Sequence, residues 1–145
     1  MLDTGLVYDG YFCDFDRNFS LGPPSGAVAD AHAQLIEATK IGFNAAKPGT
    51  TTANLFHKMD LMCTGGAGDG DAGRLGHGLG MQLTEWPSLI LDDTTALEPG
   101  MVLTLEPGVQ VMPGKIMVHE EDILITETGA RYLTRPAPPD IMVLE

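Results

Sequence analysis

The sequence has few cysteines and few basic residues, and each shortage excludes a class of protein. Its two cysteines, Cys13 and Cys63, have no CxxC spacing, which favours a reducing cytoplasm over a disulfide-stabilised secreted scaffold. Only 8 lysines and arginines stand against 20 acidic residues, so the formal net charge is -12. Because phosphate backbones are bound by basic side chains, nucleic acid is not expected as a partner.

The sequence also lacks long hydrophobic runs. No apolar stretch approaches the roughly 20 residues that a membrane-spanning helix needs, and the chain does not open with a basic segment followed by an apolar block. We therefore predict a cytoplasmic protein with no membrane partner. The 145 residues do contain a hydrophobic fraction of 43%, which is enough for one domain with its own core.

Residues 2–19 predict a β-hairpin that carries carboxylates on one face. The Asp-Gly pair at residues 9–10 favours a two-residue type I′ turn, because both residue types tolerate positive φ angles. With this turn Asp16 lies opposite Asp3, and Asp14 is a diagonal neighbour of Asp3 on the same face. Three acids so close together raise one another's pKa unless a cation or a base neutralises them. The alternative is a solvated hairpin face with ordinary surface acids.

Two helices are predicted after the hairpin. Ser25 is a candidate N-cap for a helix over residues 27–46, whose apolar residues recur at three- and four-residue steps. A second helix is predicted over residues 53–63. His32 and His57 lie on these helices, and we interpret both as structural or solvated histidines.

A glycine-dense stretch over residues 64–76 is predicted to form no regular structure. It lacks the residue context of a phosphate-binding loop or a dinucleotide-binding fingerprint, so we exclude both. The stretch leads into the sequence GHGLG, where glycines flank His77. Glycine allows close backbone approach and leaves the imidazole uncrowded, as a metal ligand or an oxyanion donor requires. The alternative is a tight turn with an incidental histidine.

Acidic residues also occur in two apolar segments further along. Residues 101–106 predict a buried strand that ends at Glu106, and residues 115–126 predict one central strand with acids at 120–122 in its middle. An acid in such a position is costly to bury unless it is paired or coordinates a cation. These segments therefore indicate a metal site independently of the hairpin.

The remaining segments predict turns and short strands. We expect a polar corner at residues 84–88, a turn at 97–100, a short strand beginning at Leu133 and an edge segment at 141–144.

Four of these motifs, in chain order, resemble the catalytic domain of the pita-bread metallohydrolases. This family includes methionine aminopeptidase, aminopeptidase P, prolidase and creatinase, and the prolidase and aminopeptidase P branch is the most similar. The motifs are DTG…DGYFCDFDR, GHGLG, LEPG and HEEDILIT. The spacings also agree, with 11 residues from Asp3 to Asp14, 63 to His77, 29 to Glu106 and 14 to Glu120.

The resemblance extends from residue 2 to about residue 134, and it implies the fold. We expect an α+β pita-bread fold, in which helices 27–46 and 53–63 back a strongly curved antiparallel sheet. The family's first half precedes the strand that carries Asp3, so we expect residues 1–145 to be the C-terminal half of a catalytic domain. Exposed apolar surface on such a half would favour a homodimer or association with the missing N-terminal half.

The resemblance also implies two divalent metal ions, with Asp14 and Glu120 bridging them. The strand pattern leaves Glu120 and Glu121 open, and the family's pattern selects Glu120. Four carboxylates and one imidazole suit Mn²⁺, Co²⁺, Fe²⁺ or Zn²⁺. Glu106 is expected to shuttle a proton during amide hydrolysis, with His77 as the other catalytic residue. The implied metal ligands are Asp3, Asp14, His77, Glu106 and Glu120.

The implied function is a metal-dependent hydrolase of the Xaa-Pro peptidase type, acting on a small peptide or amide. One departure concerns the substrate side, where the family's peptidases have a histidine seven residues after the ligand histidine and this chain has Thr84. We assign substrate binding to Thr84 and Glu85. The alternatives are a creatinase-like hydrolase or lyase for a small non-peptide metabolite, or an inactive fragment that retains metal ligands. A calcium-binding module is disfavoured because no EF-hand loop occurs.

Overall fold

A computed structural model of the chain describes residues 1–67 and 73–145. The predicted irregular stretch at 64–76 falls partly on residues 68–72, which lie outside the described residues. The two helices are α1 (Gly26–Ala45) and α2 (Thr52–Thr64). The strands are β1 (Leu2–Tyr8), β2 (Tyr11–Arg17), β3 (Phe19–Leu21), β4 (His77–Gly78), β5 (Glu85–Ser88), β6 (Val102–Leu105), β7 (Gly108–Met112), β8 (Lys115–Val118), β9 (Glu121–Ile125), β10 (Ala130–Tyr132) and β11 (Met142–Leu144).

The predicted hairpin is confirmed in its turn and its register. Asp9 and Gly10 have φ angles of 51° and 83°, as a type I′ turn requires. Strand β1 pairs with β2 so that Asp3 lies opposite Asp16. Because side chains alternate along a strand, Asp14 shares a face with Asp16.

Both predicted helices are confirmed, and each of their four ends is shifted by one residue. The Ser25 side chain accepts a hydrogen bond from the backbone N–H of Val28 at the start of α1. The Thr51 side chain accepts from the Asn54 N–H at the start of α2. Each cap satisfies a helix N–H that has no partner within the helix. The helices pack against each other, and α1 also packs against β6, β7 and β8.

The largest sheet has the strand order β10-β9-β6-β4-β5, and all of its pairs are antiparallel. Its core cluster joins residues of α2 with residues of β6 and β9. The members include Leu55, Met59, Leu103, Leu105 and Ile123, and all five are fully buried. None of the helices in the described parts of the chain is long and apolar enough to span a membrane.

The predicted continuous strand over 115–126 is wrong. The strand is interrupted at residues 119–120, because β8 pairs with β7 in a hairpin while β9 pairs with β6 in the large sheet. The two halves of the apolar run at 115–126 therefore belong to two different sheets. The break places Glu120 at a strand end rather than in the middle of a strand.

Two other local predictions also need correction. The polar corner at 84–88 contains β5, which pairs with β4 at the sheet edge, and an edge strand can accommodate Pro87. The short strand expected from Leu133 is β10, which ends at Tyr132. The edge segment predicted at 141–144 is confirmed as β11, whose pairing with β3 is parallel, so the strand pairing is not antiparallel throughout.

We expect the Leu103→Ala substitution to lower the free energy of unfolding by about 3 kcal/mol, because it leaves a cavity in a fully buried position. Chemical denaturation monitored by circular dichroism measures this change. The matched control is Leu91→Ala, because Leu91 is exposed and a surface truncation changes stability by about 0.5 kcal/mol or less. Equal effects of the two substitutions would contradict the assignment of the core.

Candidate metal centre

Two backbone N–H groups of the β1–β2 hairpin donate hydrogen bonds, one to the segment after β4 and one to a side chain of β9. The Phe12 N–H donates to the Gly80 carbonyl over 2.8 Å, and the Asp14 N–H donates to Oδ2 of Asp122 over 3.2 Å. These contacts bring the acidic face of the hairpin to the start of β9. The sheet and the hairpin together supply the side chains of the centre.

His77 is held by its neighbours in an orientation suited to metal binding. A Cβ at Gly76 would lie 2.2 Å from the Thr104 carbonyl oxygen, and one at Gly78 would lie 2.4 Å from the Trp86 carbonyl oxygen. The flanking glycines are therefore required by close backbone approach. Nδ1 of His77 lies 2.8 Å from the Gly78 carbonyl, which can only accept a hydrogen bond. Nδ1 thus carries the hydrogen, and Nε2 presents its lone pair.

Among the described residues, two groups of three side chains bring their ligand atoms within 4.8 Å of one another. The first trio is Asp14, His77 and Glu120, and the second trio is Asp3, Asp16 and Glu120. Glu120 is shared by both. The structure thus brings four of the five residues implied by the resemblance into these trios and adds Asp16.

Glu106, the fifth residue, lies beside the first trio. Its Oε1 is 3.9 Å from Nε2 of His77 and accepts a hydrogen bond from Nε of Arg74 at 3.0 Å. Its backbone N–H donates to the Leu75 carbonyl, which holds the end of β6 next to the segment that leads to His77. Extending the β6–β9 register by one residue sets Glu106 opposite Glu120.

Burial and mutual repulsion raise the pKa of several acids in this cluster. Burial is the largest cause for each, followed by the charges of neighbouring carboxylates for Glu120 and Asp16. The pKa of Glu120 is raised to about 9 and that of Asp16 to about 6. The pKa of Asp122 is raised to about 7, although the hydrogen bond from the Asp14 N–H opposes the shift. Burial also raises the pKa of Asp14 and of Glu106.

These residues fit divalent metal ions. Within residues 1–67 and 73–145, Oε1 of Glu120, Oδ1 of Asp16 and Oδ1 of Asp122 are buried without a hydrogen-bond partner. Buried carboxylate oxygens without partners are destabilising unless a cation neutralises them. Carboxylate oxygens with one imidazole nitrogen are the donors that hard or borderline divalent cations accept.

Glu121, the alternative that the strand pattern left open, has its own partners. Its Oε2 accepts a hydrogen bond from the Arg17 guanidinium at 3.0 Å and another from the Thr134 hydroxyl. Its Oε1 accepts from the Ala137 N–H at 2.8 Å. Burial opposes ionisation of Glu121, but hydrogen bonds from His119, Thr134 and Ala137 and the Arg17 charge together outweigh it and hold the pKa of Glu121 below its ordinary value. Glu121 is therefore neutralised by protein groups, and Glu120 is not.

Thr84 and Glu85 lie outside both trios. Thr84 is exposed, and Oε1 of Glu85 accepts a hydrogen bond from the Gln82 N–H at 2.8 Å. This contact braces the turn that precedes β5. The structure therefore does not bring these two residues into the acidic cluster.

Sequence reasoning left Asp16, Asp122 and Arg17 out of the site. The alternation of β2 had already set Asp16 on the face of Asp3, so a signal for it existed. Asp122 reaches the site through its bond to the Asp14 N–H, a contact between residues 108 positions apart in the chain. No local pattern marks Arg17.

Comparison with known proteins agrees with a metal-binding cluster. The chain matches the model of metallopeptidase family M24 over residues 1–127, and it belongs to this family. Membership implies divalent metal ions. The chain is 36% identical over 136 residues to the Xaa-Pro dipeptidase of Pyrococcus furiosus, and the match covers 93% of this chain and 39% of the dipeptidase.

Two solved structures have the same fold. The X-Pro aminopeptidase of Thermotoga maritima superposes with a TM-score of 0.87 at 31% identity, covering 98% of this chain and 40% of that protein. The Xaa-Pro dipeptidase of Bacillus anthracis gives a TM-score of 0.88 at 32% identity, with the same coverage of 98% and 40%. The predicted pita-bread fold is confirmed. The chain spans about two fifths of the length of these relatives.

We expect the metal-free chain to lose stability as the pH rises from about 4 to about 9. The raised pKa values mean that Asp16, Asp122 and Glu120 keep their protons in the folded state at pH values where the unfolded chain has lost them. Their stabilising contribution is complete below the ordinary pKa values and is lost as the pH passes the folded-state values. Urea denaturation in the presence of a chelator, repeated across this range, measures the decline.

The Glu120→Gln variant should flatten the upper part of this decline, because the amide that replaces the carboxyl group cannot ionise. Glu127→Gln is the matched control, since Glu127 is exposed, and it should follow the unsubstituted chain. A Glu120→Gln profile that declines as steeply as that of the control would contradict the role given to Glu120.

Proposed function

We propose that this chain carries the dinuclear metal centre of a hydrolase of the Xaa-Pro peptidase type, which cleaves an amide bond in a small peptide. The observation that carries the proposal is the pair of ligand trios that share Glu120. The names of the similar proteins, an Xaa-Pro dipeptidase and an X-Pro aminopeptidase, support the substrate type.

Asp14, His77 and Glu120 would hold one divalent ion, and Asp3, Asp16 and Glu120 would hold the other. Glu106 lies close enough to His77 to join the first of these sets. When bound, two divalent ions supply Lewis acidity, which acidifies a water molecule and polarises a carbonyl group. The donor set supports Mn²⁺, Co²⁺, Fe²⁺ or Zn²⁺ as the bound ions.

Glu106 is the residue best suited to transfer a proton. One of its oxygens is held by Arg74, which fixes the carboxylate at the edge of the cluster. In amide hydrolysis the water oxygen bonds to the carbonyl carbon while the carbon–nitrogen bond breaks. Glu106 would accept the proton of the water and deliver it to the leaving nitrogen. His77 would keep its Nε2 directed at the cluster through its bond to the Gly78 carbonyl.

The substrate side of the proposal rests on Thr84, in the segment between β4 and β5, and on Glu85, the first residue of β5. The two free cysteines support a cytoplasmic location. A homodimer, or association with an N-terminal half of the catalytic domain, stays a prediction.

The Asp14→Asn substitution should abolish binding of one ion and weaken binding of the other, because the amide that replaces the carboxylate carries no negative charge. The fold should be retained. Calorimetric titration of Mn²⁺ or Co²⁺ measures the binding, and circular dichroism measures the fold. Asp92→Asn is the matched control, since Asp92 is exposed and the chemical change is the same. A folded Asp14→Asn chain that binds both ions as the control does would contradict the ligand assignment.

The metal-loaded chain should hydrolyse Xaa-Pro dipeptides, and Glu106→Gln should lower kcat by about 10²- to 10⁴-fold, because it removes the proton-transfer group. Proline release in the presence of Mn²⁺ or Co²⁺ measures the activity, and chelator should abolish it. A chain that binds two ions and releases no proline would refute the proposed activity for this chain.

A further inference from the structure

The Arg17 guanidinium makes four hydrogen bonds, and two of them go to the backbone of candidate ligands. Nη1 donates to the backbone carbonyl of Asp16 over 2.6 Å and to that of Glu120 over 3.1 Å. Nη2 donates to the Glu121 carboxylate over 3.0 Å and to the Arg135 carbonyl over 2.6 Å. One guanidinium therefore joins the end of β2 to the start of β9.

We propose that Arg17 is a positioning residue that assembles the second trio by holding the backbones of Asp16 and Glu120 together. The inference rests on the proposed function, because it treats these two residues as ligands. Both carbonyls that Nη1 binds belong to members of the second trio. The third member, Asp3, pairs with Asp16 across the hairpin, so its position follows from that of Asp16.

The first trio has separate supports. The Asp14 N–H is held by Asp122, and the His77 N–H donates to the Thr104 hydroxyl over 3.1 Å. Neither contact involves Arg17. Loss of the guanidinium should therefore affect the second trio much more than the first, although Glu120 belongs to both.

The charge of Arg17 does not compete with a bound cation. It is neutralised by the carboxylate of Glu121, which lies 3.0 Å away and belongs to neither trio. The guanidinium also lies 4.8 Å from the centroid of the Phe15 ring, a distance at which a cation and an aromatic face attract each other. Its four donor contacts need a planar fork, which a lysine ammonium with three donors on one nitrogen cannot reproduce.

Three variants test the inference. Arg17→Met removes all four donor contacts, and Arg17→Lys keeps the charge without the fork. Arg131→Met is the matched control, because Arg131 is an exposed arginine on β10 and its loss changes the net charge equally. Calorimetric titration with Co²⁺ gives the number of ions bound and their affinities, and the visible Co²⁺ spectrum reports the coordination of each ion.

We expect the unsubstituted chain and Arg131→Met to bind two ions. Arg17→Met should bind the first ion with little change and the second about 10- to 100-fold more weakly, the range typical for loss of a group that orients a ligand. The Co²⁺ spectrum should lose the component added by the second ion. Arg17→Lys should show the same selective loss, and it serves as the test if Arg17→Met does not fold.

Two results would overturn the inference while leaving the proposed function intact. One is unchanged affinity for both ions in a folded Arg17 variant, and the other is an equal loss at both sites, which would indicate a merely structural role. Failure of the unsubstituted chain to bind Co²⁺ would instead refute the proposed metal centre, and the inference with it.

Discussion

Mutual repulsion among buried carboxylates around Glu120 is the constraint on which the rest of this structure depends. Burial removes water from these groups, and the neighbouring charges add to its effect, so the pKa of Glu120 is raised to about 9. Such a cluster holds together only if the backbone imposes the geometry or a cation neutralises the charge. The backbone does impose it here. The type I′ turn sets the register of the hairpin, and the β6–β9 pairing sets the ends of two sheet strands beside it.

The acids of this region separate into two environments because consecutive residues of an extended segment point to opposite sides. Glu120 faces the hairpin acids, whereas Glu121 faces Arg17 and the Thr134 hydroxyl. If Glu121 faced the hairpin acids and Glu120 faced the opposite side, the arginine that binds Glu121 would lie among the candidate ligands. Neutralisation of Glu121 by protein groups therefore leaves the cluster around Glu120 as the place for a cation. The membership in metallopeptidase family M24 agrees with that chemistry.

The sequence was sufficient to predict those elements that are determined by residues close together in the chain. The hairpin turn, the two capped helices and the shared face of Asp3, Asp14 and Asp16 all follow from residue types and short spacings. The predictions that were wrong concern strands, because the bounds of a strand depend on which other strand it pairs with. The run at 115–126 looked continuous because both of its halves are apolar, and the break is caused by different pairing partners on either side.

The features of the candidate site also separate into those set by short spacings in the sequence and those set by tertiary contacts. The sequence by itself determined which residues could be ligands and how the hairpin acids share a face, because turn chemistry and strand alternation act over a few residues. The strand pattern left Glu120 and Glu121 open and the family resemblance selected Glu120, and the tertiary structure gave the physical reason, because it brings Glu120 to those acids and Glu121 to Arg17. Only the tertiary structure decided that Asp16 completes a second trio and that Arg17 joins the two strands. These outcomes depend on contacts between residues far apart in the chain, such as Arg17 with Glu120, which are 103 positions apart. Local residue patterns carry no signal for such contacts, because packing of the whole chain forms them.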